Sequence, residues 1–268
     1  MPIVHADILR NLIKRILLAS GADNDNAERV AAGLVLSDLS GVDTHGVQQT
    51  PYYVKAIREG EICPYAKPEI VTSTPTTALV RGRWTFGFVS ALMAVDLAIR
   101  KADQAGISVV SLVETHHTGR IGEYSEIAAS RGMICLVWAS GYGVEEPHAV
   151  PYGGKKKILH THPISIGVPA GQEPSMVMDF ATTVVAGGKV AVARRDGKQL
   201  PDGAIVDKYG KPTTDPEDFF DGGAHLPFGG HKGYSIMVAN ELLGRVFSTA
   251  DIYADRAKGG VVFRHQGL

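Results

Sequence analysis

The sequence predicts an α/β fold in which a helical unit precedes a sheet-containing one. Three observations predict it. Residues 3–60 carry amphipathic helical stripes and no strand pattern. Residues 107–139 read as strand, loop, helix, strand. Between and after these, short β-branched runs alternate with turn residues and one long helical stripe.

Taken in order, Ile8, Leu9, Leu12, Ile13, Ile16 and Leu17 define a first helix that stops at Ser20-Gly21. Asp23 or Asn24 is placed to cap a second helix with the stripe Ala27, Val30, Ala31, Leu34 and Val35. The polar loop Val42-Asp43-Thr44-His45-Gly46 leads to a third helix bearing Tyr52, Tyr53, Ala56 and Ile57. After Pro68, residues 69–73 and 77–81 read as strands around a Thr/Pro turn, and residues 88–102 as a helix ended by Gly106. Residues 107–113 form an apolar run of buried-strand character that leaves into Glu114-Thr115-His116-His117-Thr118-Gly119. A short helix through Ile121, Tyr124, Ile127 and Ala128 follows, and then a second apolar run, residues 133–139. Residues 164–169 and 176–180 are further strands, residues 187–220 read as loop-rich, and residues 232–247 as a last helix.

Composition excludes several classes. The 268 residues suffice for one large or two ordinary domains, and 44% hydrophobic with 21% charged residues suits a globular chain with a real core. A net charge of −1 gives no general attraction to nucleic acid or anionic membrane. No apolar run approaches the length of a membrane span, and residues 1–20 lack the apolar core of a signal peptide. Two cysteines make no disulfide framework, and Cys135 lies in an apolar strand. These features predict a cytoplasmic location with neither nucleic acid nor membrane as partner.

Four constellations carry candidate chemistry. His116-His117 follow a strand at the edge where open α/β sheets bind ligands. Neighbours on an extended chain point to opposite sides, so one of the two is the expected acid/base near neutral pH; the plain alternative is a pair of loop histidines bonded to backbone. In Asp43-Thr44-His45-Gly46 a carboxylate stands two residues before a histidine, and the alternative is a turn capping the next helix. His160-Thr161-His162 places two imidazoles on one strand face. With His117 they make a zinc-dependent hydrolase the rival reading, although no HExxH or CxxC accompanies them. Gly229-Gly230-His231-Lys232-Gly233 opens a helix and suits an anion, without being a Walker A motif. Gly-x-Gly-x-x-Gly is absent, since Gly141-Tyr142-Gly143 is followed by Glu146, so a conventional Rossmann site is not indicated.

Taken jointly and in order, seven segments resemble the type 2 malate/L-lactate dehydrogenase family, which also holds ureidoglycolate and L-sulfolactate dehydrogenases and piperideine-2-carboxylate reductases. They are Gly41-Val42-Asp43-Thr44-His45-Gly46-Val47, His117-Thr118-Gly119, Val150-Pro151-Tyr152-Gly153-Gly154, Thr161-His162-Pro163, Asp179-Phe180-Ala181-Thr182-Thr183, Pro212-Thr213-Thr214-Asp215-Pro216 and Gly230-His231-Lys232-Gly233-Tyr234. The resemblance implies a non-Rossmann mixed-sheet domain, NAD or NADP as cofactor, a small 2-oxo/2-hydroxy acid as substrate, and a homodimer. Carried over by position, His117 and His45 are the expected catalytic residues, and Thr44 and Gln49 the expected substrate-binding ones. Gly141, Thr161, Asp179, Phe180, Ala181, Lys232 and Gly233 fall on cofactor-contacting positions. No metal is implied.

The expected organisation is a helical unit, residues 1–73, joined by the C-terminal helix within residues 228–268, and an α/β cofactor-binding unit, residues 74–227. Three departures stand out. His162 replaces the family's asparagine in Thr-Asn-Pro. Gln49 stands where many members carry an arginine suited to a substrate carboxylate. The chain stops at Gly267-Leu268, where family members continue. A member lacking that segment is expected to bind cofactor less well, and in the extreme to be non-catalytic.

Overall fold

The structure, a computed structural model, describes residues 3–142, 147–250 and 265–267. The Gly143 and Glu146 positions of the glycine comparison, and most of the C-terminal stretch after Ala250, lie outside the described residues.

Three helices open the chain: α1 (Ala6–Ala19), α2 (Asn24–Leu39) and α3 (Thr50–Arg58). The side chain of Asp23 caps α2 by accepting the Asn26 N–H at 2.9 Å. The stripe Ala27, Val30, Ala31 and Leu34 is fully buried against Ile13, Leu17, Tyr53 and Ala56. Between α2 and α3 two single turns of 3-10 helix, Asp43–His45 and Val47–Gln49, carry the Thr44-His45 loop.

A hairpin follows, β1 (Glu69–Ser73) antiparallel to β2 (Thr77–Arg81). Helix α4 (Gly87–Ala105), ended by Gly106 at φ 81°, then crosses to β3 (Val109–Val113), which pairs parallel to β2. Strand β3 begins later than the apolar run suggests, at Val109, and the Ser108 hydroxyl before it is bonded to the Ala98 carbonyl at 2.7 Å. Helix α5 (Gly122–Ala129) and β4 (Cys135–Trp138) complete the central unit. Val80, Ala91, Val95, Ile99, Leu112, Tyr124, Ala128 and Val137 form its core.

Short strand β5 (Ser140–Tyr142) pairs with β11 (His265–Gly267). A second sheet, order β4-β6-β7 with β6 (Ile164–Val168) and β7 (Met176–Phe180), is antiparallel throughout. It lies so close on α5 that a Cβ at Gly167 would sit 2.3 Å from the Ser125 carbonyl oxygen.

Residues 187–220 are more ordered than the loop-rich reading suggests. They form α6 (Gly187–Arg195), β8 (Ile205–Val206), β9 (Pro212–Thr213) and α7 (Pro216–Phe220). In α6 only Val190 is buried, so the sequence offers no apolar stripe to find it by. A small sheet orders β10 (Ala224–His225), β8 and β9. The last helix is α8 (His231–Glu241), whose Met237 packs on Ala149 and Leu159. The expected continuation to residue 247 is present as a π-helical segment, Leu242–Phe247. Among the described residues no helix is long and apolar enough to cross a membrane.

Leu112 is fully buried in β3, directly ahead of the histidine loop. Leu112→Ala is expected to destabilise the protein by about 2–5 kcal/mol. Chemical denaturation would show this as a lowered midpoint, and an unchanged midpoint would contradict the packing described.

Candidate active site

The histidine loop is built from close backbone approach. At Glu114, φ is +50°, which turns the chain out of β3. The Glu114 carbonyl accepts the Trp84 N–H at 2.8 Å, and the Thr85 carbonyl accepts the His116 N–H at 3.4 Å. The loop then lies directly on the first turn of α4, where a Cβ at Gly87 would meet the carbonyl oxygens of His116 and His117 at 2.3 Å. Thr115 shares a 2.6 Å hydroxyl bond with Ser90, and Tyr124 donates to the Thr118 carbonyl at 2.6 Å.

His117 is 4% exposed. Its Nδ1 lies 2.7 Å from the Tyr53 hydroxyl, and its ring stacks on His45 with centroids 5.3 Å apart and planes 29° apart. Burial, then the proximity of His45 and His116, holds His117 well below the ordinary imidazole range. Burial also pushes His45 down to about 4, so the stacked pair is neutral at neutral pH. His116, fully buried, turns to the other side, with Nε2 3.4 Å from the Tyr52 hydroxyl. Burial raises the Tyr53 phenol well above 10, so it stays protonated. Among the described residues its hydroxyl bonds only to His117 Nδ1. A protonated phenol can donate to Nδ1 or accept its proton, and when it accepts, the lone pair of the neutral ring is on Nε2.

Around this pair the structure assembles the other loop residues. Thr44 Oγ1 lies 3.0 Å from His45 Nδ1, and Gln49 Nε2 donates to the Thr44 carbonyl at 2.7 Å. Asp38 holds the loop in place by accepting the Val47 N–H at 3.0 Å, and Gly46 leaves no space for a side chain beside that carboxylate. On the far side, a Cβ at Gly188 in the first turn of α6 would meet the Thr44 methyl at 2.4 Å. Thr44, His45 and His117 are thus brought together, with Gln49 bonded to the Thr44 carbonyl.

A second group lies along β7 and the start of α8. Asp179 Oδ2 accepts the Gly122 N–H at 2.8 Å; burial raises this carboxyl, against that bond and nearby Arg120. The Phe180 and Phe228 rings meet edge to face at 5.4 Å, next to Ala181. The Thr161 carbonyl accepts from Thr182, whose own carbonyl accepts the Phe228 N–H at 3.0 Å. Gly233 packs so tightly that a Cβ would sit 1.9 Å from the Phe228 carbonyl oxygen. Lys232 is exposed in the first turn of α8, whose N-terminus has no side-chain cap. Gly141 lies in β5, where its backbone pairs with Gln266.

The three histidines of the zinc reading are not gathered. His117 lies with His45 and Tyr53, whereas His160 and His162 lie together at 6.1 Å beside His148. Among the described residues no group of three or more His, Cys, Asp or Glu side chains is arranged to hold a metal ion. His162 Nε2 accepts the His160 N–H at 3.2 Å and lies 3.5 Å from Glu241, while Asn240 donates to its carbonyl at 2.8 Å. Burial, then His160 and Arg245, takes His162 down to about 3.

Sequence reasoning missed Tyr53 and the α6 glycines. Tyr53 belongs to a helical core stripe, and nothing in its spacing separates a core phenol from one bonded to a histidine.

Comparison with known proteins points to one family. The family model described as malate/L-lactate dehydrogenase matches residues 4–261. The L-sulfolactate dehydrogenase of Methanothermobacter thermautotrophicus is 39% identical over 244 residues, covering 89% of this chain and 70% of that protein. The structure of sulfolactate dehydrogenase from Methanocaldococcus jannaschii superposes with a TM-score of 0.87 at 34% identity, covering 99% of this chain and 76% of that one. The delta1-piperideine-2-carboxylate reductase of Pseudomonas syringae pvar. tomato gives 0.90 at 28% identity, covering 100% and 81%.

The direction of the Tyr53 bond is testable by NMR titration of the imidazoles. Acceptance of the Nδ1 proton by Tyr53 favours the charged ring, so Tyr53→Phe should move the pKa of His117 further downward. An upward shift would show that Tyr53 donates to Nδ1 instead and that Nε2 is not the base.

Proposed function

The chain belongs to the malate/L-lactate dehydrogenase family, and on that premise we propose that it interconverts a 2-hydroxy acid and the corresponding 2-oxo acid with NAD or NADP. One observation carries the reading: a buried, neutral histidine, His117, stacked on His45 beside Thr44 and held at Nδ1 by a protonated tyrosine. The nicotinamide supplies the hydride acceptor or donor. The proton is the task of His117.

In oxidation, His117 Nε2 takes the proton of the 2-hydroxyl group; in reduction, the same nitrogen returns it to the oxygen. Neutral imidazole is the form ready to accept a proton, and burial keeps His117 in that form well into the acid range. A tyrosine hydroxyl both donates and accepts, so Tyr53 can serve Nδ1 in either tautomer as the proton moves at Nε2. Thr44 and His45 line the acid's side of the site, and the Gln49 bond to the Thr44 carbonyl keeps that loop in register. Positioned acid/base catalysis of this kind contributes on the order of 100- to 10,000-fold.

The second group of residues fits a phosphate-bearing dinucleotide. The uncapped N-terminus of α8, Lys232 in its first turn, and the glycines at 229, 230 and 233 offer donors and close backbone approach. Asp179, Phe180, Ala181, Thr161 and Gly141 are the remaining residues we assign to that cofactor. The small, largely antiparallel sheets and the missing glycine fingerprint support a non-Rossmann mode of holding it. Composition and two free cysteines support a cytoplasmic protein, and the family resemblance supports a homodimer.

His117→Ala is expected to lower turnover by about 100- to 10,000-fold in steady-state assays with a 2-oxo acid and NADH or NADPH, while cofactor binding persists. Undiminished turnover would overturn the assignment. For the cofactor group, energy transfer from protein tryptophan to NADH or NADPH reports binding, with Trp138 two residues from Ser140. Lys232→Ala should raise the dissociation constant in that titration, and an unaltered curve would remove Lys232 from the cofactor site.

A further inference from the structure

Strands β2 and β3 run parallel and end together, with Arg81 opposite Val113. Past their carboxyl ends the two segments stay in contact. The Gly82 N–H bonds to the Val113 carbonyl at 2.8 Å, and the Trp84 N–H to the Glu114 carbonyl at 2.8 Å. The Trp84 carbonyl accepts the Cys63 N–H at 2.8 Å, so this rim is pinned on both sides of the indole. Beside the rim, Glu69, Arg81, Arg83, Trp84 and Glu114 line a recess of about 460 Å³. It lies at the carboxyl ends of a parallel pair, the edge where α/β sheets bind ligands. None of its lining residues belongs to either group assigned above.

The backbone that carries these side chains is strained. φ is +54° at Arg83, +59° at Trp84 and +50° at Glu114, a region that bulky side chains enter at a cost. Among the described residues five non-glycine positions have positive φ, and three of them line this one recess. Strain of that kind clusters where side chains are held for binding. The charges are arranged unevenly. Arg81 reaches Glu69 at 3.3 Å through Nη1 and Glu114 at 3.6 Å through Nε. One guanidinium thus stands between two carboxylates and leaves a surplus negative charge. Glu114 is buried, so water screens it little. Arg83, by contrast, is exposed and forms no ion pair with a described residue.

We propose that this recess binds a small zwitterion, an α-amino acid, by its two charged ends. The ammonium goes to the carboxylates of Glu69 and Glu114, with the Trp84 ring as a cation-binding face. The carboxylate goes to the planar fork of Arg83. A simple anion would satisfy Arg83 but meet the surplus negative charge of the two glutamates. A simple cation would satisfy the glutamates and leave Arg83 unmatched. A molecule that carries both charges on one carbon answers both, and the indole offers apolar area to its side chain. The site does not depend on the reaction assigned to His117.

The test is an NMR titration of the full chain. The indole N–H resonance of Trp84 is identified by its loss in Trp84→Phe. The common α-amino acids are added singly at constant ionic strength, with acetate and methylammonium as controls that carry one charged end each. At least one amino acid should shift the Trp84 resonance saturably and bind more tightly than both controls. In Arg83→Gln its dissociation constant should rise by about tenfold, the low end for a hydrogen bond to a charged group because Arg83 is exposed. In Glu114→Gln it should rise by roughly ten- to hundredfold. Should Glu114→Gln fail to fold, the surface variant Arg83→Gln decides alone. The absence of a saturable shift with every amino acid overturns the proposal. Acetate binding as tightly as the amino acids also overturns it and makes the recess a plain anion site. An unchanged dissociation constant in Arg83→Gln overturns it as well.

Discussion

The dipeptide Gly87-Phe88 at the start of α4 is the constraint on which the site depends. Because residue 87 has no side chain, the backbone of His116 and His117 lies directly on the helix, with carbonyl oxygens where a Cβ would be. Phe88, fully buried, fills the space left by two more glycines, Gly33 in α2 and Gly119 after the histidines. One ring thus fixes α2, α4 and the histidine loop against one another. Any side chain at 33, 87 or 119 would push these elements apart, because the neighbours they would meet are a packed aromatic ring or backbone and cannot swing away.

Seating the loop this way buries its titratable groups, and burial decides their chemistry. His45 and His117 are stacked at a distance where two imidazolium ions would repel, and desolvation removes both charges. The result is a site whose polar groups are neutral rings and hydroxyls with fixed partners. Such a site can exchange a proton at one nitrogen without rearranging its surroundings, because the phenol of Tyr53 answers either tautomer. It also places a premium on dipoles that do not titrate, and the start of α6 packs on the Thr44 methyl.

Much of this was legible in the sequence where a periodic or ordered signal existed. The stripes of α1 to α4 and the strands β1, β2 and β7 follow from spacing alone, and so does a cap at Asp23 or Asn24, of which the structure uses Asp23. That Thr44, His45 and His117 share a site was an expectation from the family resemblance rather than from any local pattern, and the three lie together. What stayed hidden did so for physical reasons. Helix α6 buries one residue, Val190, so it has no stripe, and its two leading glycines look like a loop. Tyr53 is read as core because its ring is core; its hydroxyl is what bonds His117. His225 lies in a two-residue strand, and its neighbour Gly187 is distant in sequence and near in space.

The two departures within the matching motifs have local explanations that bear on specificity. At residue 162, φ is +34°, a region that favours asparagine and, next to it, histidine. The imidazole takes over the local bonding an amide would supply, accepting the His160 N–H, so the turn survives the exchange. Gln49 is different in kind. Its amide is bonded to the Thr44 carbonyl of its own loop, which braces the turn where an arginine would reach outward. The residues gathered around His117 (Thr44, His45, Gln49, Tyr52, Tyr53 and His116) include neither lysine nor arginine. An acid bound among them must therefore be held by groups that are not side-chain cations of that cluster. Neutral donors hold an anion well only when they are fixed and shielded from water. The geometry around Thr44 meets that condition, since its loop is clamped by Asp38 on one side and by the glycine face of α6 on the other.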